Sequence, residues 1–282
     1  RANAEWQPAI RTATYPFRKK GSILDVTPYT EYEPITEENR LLIRGRHFYR
    51  KNDPSRPVRF FCATARIHLG FPKSLETREK IRDYVEEMKL RGYNMIQIYS
   101  SAVMKDFFKT GKFNETALEL YDFFFDLCRK NGIYVDFILM PRDSGFYPFR
   151  EQWGNPPWPF EEDEVNVSFG IYFSDEHRKN WEDGVTTLLN HRNRFNGTLW
   201  KEDPAILLYG ADNEQEYAFN FKNIVPRDQK VVIGPYREFL KNRYKTIDAY
   251  NAKWKTKFAS FDEIPCFDVK NKNEDVNEFL YQ

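Results

Sequence analysis

Charge of one sign is what this 282-residue sequence lacks most conspicuously: 43 Lys and Arg face 42 Asp and Glu, a formal net charge of +1. Without an excess of either sign there is no long-range field to steer the chain onto nucleic acid or anionic lipid, so neither is expected as a partner. No apolar run approaches the roughly 18 residues of a membrane-spanning helix, and no membrane partner is expected. Cysteine is scarce. Cys62, Cys128 and Cys266 are far apart, odd in number and form no C-x-x-C pair, which argues against a disulfide framework or a zinc site and reads most simply as three buried free thiols. The four histidines show no metal-ligand spacing, and no strand is followed by a glycine-rich phosphate cradle, so neither metal nor cofactor is expected. Near Arg1 there is no apolar signal-peptide core. Any such signal has been removed or never existed, and the sequons at Asn114, Asn166 and Asn196 point to an extracellular, secreted location.

What is present is a globular composition, 41% hydrophobic and 30% charged, with an aromatic surplus of 25 Phe, 17 Tyr and 6 Trp, 17% of the chain. Such rings either fill a core or lie exposed as platforms for a ligand.

Residues 1–50 read as an extended arm followed by a β meander. Leu41-Leu42-Ile43 and His47-Phe48-Tyr49 flank the turn Arg44-Gly45-Arg46, and Lys51-Asn52-Asp53-Pro54-Ser55 turns into Val58-Arg59-Phe60-Phe61. From residue 51 onward strands alternate with helices. Residues 58–65 form an apolar strand. Ser74 caps a helix with Ile81, Tyr84, Val85 and Met88 on one stripe, ended by Gly92. Met95–Tyr99 is a second strand. Asn114 opens a helix bearing Leu118, Tyr121, Phe125 and Cys128, and Ile133–Met140 is a third strand. After the irregular stretch 141–174 come a helix through Trp181, Val185 and Leu188, then a fourth strand, Ala205–Gly210, set by Asp203-Pro204. A helix from near Pro235, another containing Tyr250 and Trp254, and the first turn of a further helix over 275–282 follow.

Apolar strands separated by amphipathic helices imply parallel βα units with both sheet faces covered. A doubly wound sheet and a (β/α)8 barrel both fit, and the missing G-x-G-x-x-G after the first strand favours the barrel. The expected fold is therefore α/β, a (β/α)8 TIM barrel of which residues 51–282 supply the first four units.

In parallel α/β folds the carboxyl ends of the strands carry the chemistry. The fourth strand ends Leu207-Leu208-Tyr209-Gly210-Ala211-Asp212-Asn213-Glu214, where a carboxylate leaving a buried strand is either tuned for acid–base work or simply caps a helix. Here a resemblance enters. The stretch DPAILLYGADNE resembles the fourth-strand motif of clan A glycoside hydrolases, especially family 5-like cellulases and mannanases, and YREFLKNRYKTIDAYNAKWKTKFASFDEI is similar to the following helix, also found in clan A β-galactosidases. GSILDVTPY with GRHFYRKNDPSRPVRFF, and LLNHRNRFNGTLWKEDPAI, resemble the segments before the first and fourth strands.

The resemblance implies retaining hydrolysis of a β-linked oligo- or polysaccharide. Glu214 would be the general acid/base and Asn213 a partner of the sugar 2-hydroxyl. The nucleophile of that family sits on the seventh strand, so it and the rest of the barrel are expected beyond Gln282, and residues 1–282 alone are expected to be inactive. Two departures leave a catalytically degenerate, carbohydrate-binding barrel open: Gln97 and Tyr99 occupy a strand that usually carries an inward Arg, and Met140-Pro141-Arg142-Asp143 replaces a usual third-strand His. Arg142 and Asp143 are candidate substitute contacts. Tyr147, Trp153 and Trp158, in the ring-rich loop 141–174, could stack on sugar or merely pack the loop, and His68 could contact sugar or fold back on its own loop.

Overall fold

The computed structural model describes residues 20–70, 74–104, 112–139, 175–211, 226–267 and 273–281. Two compact units alternate along the chain, the first taking Arg1–Ala102, Glu115–Ile138 and Asn190–Tyr209 and the second Val103–Asn114, Leu139–Leu189 and Gly210–Gln282.

The first unit opens with an antiparallel meander, β1 (Leu41–Arg44), β2 (His47–Arg50) and β3 (Asp53–Val58), in that spatial order. The Pro-containing stretch read as a turn is itself β3. It is an edge strand, where Pro54 and Pro57 need not donate to a further neighbour. The continuous strand expected over 58–65 is interrupted for the same region: Asn94 accepts the Phe61 N–H at 2.8 Å and donates to Arg59 O at 2.8 Å, and Phe61 stacks on Tyr93 at 4.1 Å. These contacts tie residues 59–61 out of the sheet.

A second sheet then forms from β4 (Cys62–Ala65), β5 (Met95–Tyr99), β6 (Tyr134–Ile138) and β7 (Ile206–Gly210), neighbours in chain order. The β4–β5 and β5–β6 pairs are parallel. Val135 N–H donates to Ala205 O at 2.8 Å and Leu139 N–H to Gly210 O at 2.7 Å, so β7 rises in the same direction as β6. All four strands are parallel.

The helices between them are α1 (Arg78–Leu90), the short α2 (Ser101–Met104) and α3 (Glu115–Lys130). Thr77 rather than Ser74 caps α1, accepting the Lys80 N–H, while the Ser74 hydroxyl donates to His68 O at 2.5 Å. Ile81, Val85 and Met88 of α1 and Leu118, Tyr121, Phe125 and Cys128 of α3 are buried as the helical spacing predicts. Tyr121, Phe125, Phe137 and Trp200 interlock, with Phe125 meeting Trp200 edge-on at 4.9 Å and Phe137 at 5.3 Å. Much of the aromatic surplus is therefore core. Of the thiols, only Cys128 is fully buried; Cys266 is half-buried and Cys62 is exposed, on the outermost strand of its sheet.

Residues 20–40 strap across the carboxyl ends of α1 and α3. Val26 N–H donates to Leu90 O, Ile35 N–H to Arg129 O, and the Arg129 guanidinium returns a bond to Ile35 O. Gly132 sits at φ +70°, and a Cβ there would stand 2.6 Å from Glu33 O. Beneath the strap Ile35 and Leu41 pack with Met95, Tyr134 and Ala205, sealing the amino ends of the parallel strands. The carboxyl ends are thereby left as the side where loops can build a site.

The second unit contains α4 (Asp175–Leu189), α5 (Pro226–Tyr244), α6 (Ile247–Trp254) and α7 (Glu274–Tyr281). Helix α5 begins nine residues before the expected start and carries Pro235 inside it. Val232, Tyr236 and Leu240 of α5 pack with Tyr250, Phe261, Ile264, Phe267 and Val276. Asp275, fully buried, accepts from Tyr244 (2.9 Å to each oxygen) and from Trp254 Nε1 (2.7 Å) and pairs with Arg243 at 2.9 Å, which pins α7 to the two helices before it.

Candidate active site

The carboxyl ends of β4 to β7 are the place to look for chemistry, because there side chains leave the sheet toward solvent on rigid supports. Of the candidate catalytic and sugar-contacting residues, only His68 is described. It lies three residues past β4, half-buried, in a loop closed by the Leu75 N–H to Arg66 O bond at 3.0 Å. Asn213 and Glu214 follow β7 by three and four residues, and with Arg142, Asp143, Tyr147, Trp153 and Trp158 they lie outside the described residues.

On the described strands the structure joins Gln97 and Tyr99 to Asp136, a residue that no motif in the sequence pairs with them. Register places Thr64, Gln97 and Asp136 side by side on β4, β5 and β6. Gln97 Nε2 donates to Asp136 Oδ2 at 2.9 Å, and Tyr99 Oη donates to Gln97 Oε1 at 3.1 Å. The Arg66 guanidinium, just beyond β4, stands 5.4 Å over the Tyr99 ring, a favourable cation–π geometry. The donor directions are fixed from the carboxylate outward, so Asp136 orients the Gln97 amide, which in turn orients the Tyr99 hydroxyl. Although its residue is exposed, partial desolvation of the Cys62 thiol, with the nearby Asp136 charge, pushes it up and away from a reactive thiolate. The signal was in the sequence: a carboxylate in the middle of the otherwise apolar strand Tyr-Val-Asp-Phe-Ile is costly unless it is used or bonded.

A second carboxylate, this one fully buried, explains how β7 is aimed. Asp122 of α3, fully buried, accepts the Trp200 indole N–H at 2.9 Å, and His191 Nε2 lies 3.0 Å from each of its oxygens. The Asn193 side chain donates to Asp122 O at 2.9 Å. His191, which shows no pattern in sequence, thus helps fix the segment 191–200 that feeds β7. Asp203 completes the lead-in by accepting the Ala205 N–H at 3.0 Å, and its own burial pushes its carboxyl above the ordinary value. Among the described residues, no group of three or more His, Cys, Asp or Glu could hold a metal, and no helix is long and apolar enough to cross a membrane.

Parallel strands in chain order, helices between them, a sealed amino end and polar side chains toward the carboxyl end define an α/β fold of the kind built for catalysis at strand ends. The chain is similar to clan A glycoside hydrolases, with likeness both to family 5 enzymes and to β-galactosidases. Residues 172–274 match the family model described as β-galactosidase, glycoside hydrolase family 42. Among solved structures, a β-galactosidase from the haloarchaeon Halorubrum lacusprofundi shares 16% identity over 78% of this chain and 31% of its own, with a TM-score of 0.50. A family 5 mannosidase from Rhizomucor miehei shares 18% identity over 70% of this chain and 54% of its own, with a TM-score of 0.47. The endo-1,4-β-mannanase of the same fungus shares 16% over 72% and 57%, at 0.43. This chain spans about half the length of the fungal mannosidase it matches. No curated protein matches the sequence.

Proposed function

We propose that this chain is the amino-terminal half of a (β/α)8 barrel that hydrolyses a β-linked sugar with retention of configuration. Glu214 protonates the glycosidic oxygen and then deprotonates the attacking water, and Asn213 holds the sugar 2-hydroxyl. The nucleophilic carboxylate belongs to a strand other than the four parallel strands described here. One observation carries the reading: Asn213-Glu214 comes directly after the fourth of four parallel strands laid in chain order, within the stretch matched by the β-galactosidase family model. Sequential order is what an arc of a barrel has, whereas a doubly wound sheet reverses its order at a switch point. Residues 141–174, with Trp153, Trp158 and Tyr147, are the proposed sugar platform, and Arg142, Asp143 and His68 supply polar contacts. The sequons support a secreted protein.

The test uses the full-length protein, with aryl β-galactosides first and β-mannosides second. Glu214→Gln should lower kcat about a thousandfold, the scale of one general acid/base, while sugar binding persists. Wild-type turnover by that variant would remove Glu214 from the mechanism. A second reading, a sugar-binding barrel without hydrolysis, is favoured by Gln97 and Tyr99, bonded to each other and to Asp136 on a strand that in family 5-like enzymes usually carries an inward Arg. It predicts sugar binding without turnover in the wild type.

A further inference from the structure

At the amino ends of the strands, between the strap and the outer faces of α1 and α3, lies a cavity of about 400 Å³. Val85, Leu90 and Leu127 contribute its apolar wall, and three cations, Lys20, Arg82 and Lys89, share its lining with the single carboxylate of Glu86. Counting the buried Asp25 carboxylate, which accepts from the lining Thr27 at 2.6 Å and feels the Lys20 charge, one positive charge remains in excess around the cavity. None of the three cations pairs with a carboxylate within 4.0 Å among the described residues. Lys89 Nζ donates instead to the neutral Asn131 Oδ1 at 3.1 Å and sits 5.0 Å over the Tyr32 ring. Burial first, and the Lys20 charge second, push the Lys89 ammonium below its ordinary value.

Basic residues near a helix carboxyl end commonly serve its exposed carbonyls. Here those carbonyls are already engaged. Leu90 O accepts the Val26 N–H, and Lys89 O accepts the Gly92 N–H and the Tyr32 hydroxyl, whose own ionisation burial has pushed up to about 12. The ammonium and guanidinium groups therefore line the cavity rather than cap the helix, while the Thr27 and Thr30 hydroxyls beside them already donate to Asp25 Oδ1 and Val26 O.

We propose that this cavity binds a phosphate dianion, free or carried on a small sugar. Two like charges held together over an apolar floor repel each other, and a doubly negative group with several acceptor oxygens relieves that repulsion while taking charge-assisted bonds from both lysines. The cavity is built from the strap, α1 and α3 alone, so the proposal does not rest on the glycosidase reading.

Isothermal titration of the full-length protein with inorganic phosphate, sulfate and glucose 6-phosphate, each at ionic strength matched with chloride, tests the proposal. Saturable phosphate binding at one site is expected, and tighter binding of glucose 6-phosphate than of phosphate would identify the sugar-borne form. Lys20→Gln and Lys89→Gln should each weaken binding about tenfold, the scale of one charged hydrogen bond. Glu86→Gln should tighten it. Because Lys20→Gln also removes a repulsion, it should leave the melting temperature without phosphate unchanged or raised, and that variant keeps the test valid should Lys89→Gln fold poorly. No saturable binding above the chloride control, or equal binding by wild type and Lys20→Gln, would overturn the proposal.

Discussion

At the residue scale, three aspartates, two buried and one half-buried, have three different fates. Asp122 is satisfied by an indole, an imidazole and a guanidinium, Arg194 Nε standing 3.4 Å away. Truncating it strands the Trp200 and His191 donors in the core, so Asp122→Ala should destabilise the protein by about 3 kcal/mol in chemical denaturation. With Trp200→Phe already present, the same truncation should cost less, since one donor has gone. Asp136 is shared with Gln97 and Tyr99. Asp203 accepts the Ala205 N–H with one oxygen, while its other oxygen has no hydrogen-bond donor among the described residues. Its folded pKa lies above the ordinary 3.8, so the folded state holds a proton that the unfolded state has lost. Between 3.8 and the raised value, stability falls as pH rises. Asp203→Asn keeps the acceptor without the charge. The variant should gain stability relative to wild type as pH rises from below 3.8 to neutral, and melting curves across that range, compared pairwise, check the sign.

At the scale of elements, the turns after α1 and α3 do two jobs, ending a helix and admitting the strap. Gly132 and Gly197 have nearly the same backbone, φ +70° and +72°, but only Gly132 has strap backbone where a Cβ would go. Alanine at either should cost about 1–2 kcal/mol for the left-handed conformation. Gly132→Ala should cost measurably more, and the difference between the two reports the strap contact. Helix spacing was readable here because burial repeats every three to four residues on α1 and α3. Boundaries were less so: Thr77 displaced Ser74 as the α1 cap because the Ser74 hydroxyl is engaged by His68 O. Proline normally marks a first turn, which predicts a start near Pro235, but α5 runs through that residue from Pro226.

For the whole molecule, the strap and meander form the floor of the parallel sheet. Glu31 and Glu33 of the strap pair with Arg50, and Glu31 also with Arg56, joining the strap to the meander. Removing residues 20–58 would uncover Met95, Tyr134 and Ala205 together. That protein should bind a hydrophobic dye at neutral pH and lose a sharp cooperative melt, as expected when apolar surface opens without unfolding every helix. On β7, the last of the described strands, Leu208 and Tyr209 are each at least a third exposed.

By itself the sequence determined the alternation of apolar strands and amphipathic helices, the strand positions near 95, 134 and 206, the arm and meander ahead of them, and the likeness to clan A glycoside hydrolases. These follow from local periodicity, turn residues and short motifs, which need no knowledge of what lies far along the chain. Only the tertiary structure decided which polar side chains meet. Gln97 and Asp136 are 39 residues apart, His191 and Asp122 are 69 apart, and Lys89 faces an arm that begins some seventy residues earlier. A buried charge in a strand or helix is visible in sequence as a cost, but the partner that offsets the cost is chosen by strand register and helix packing, and those are properties of the folded chain.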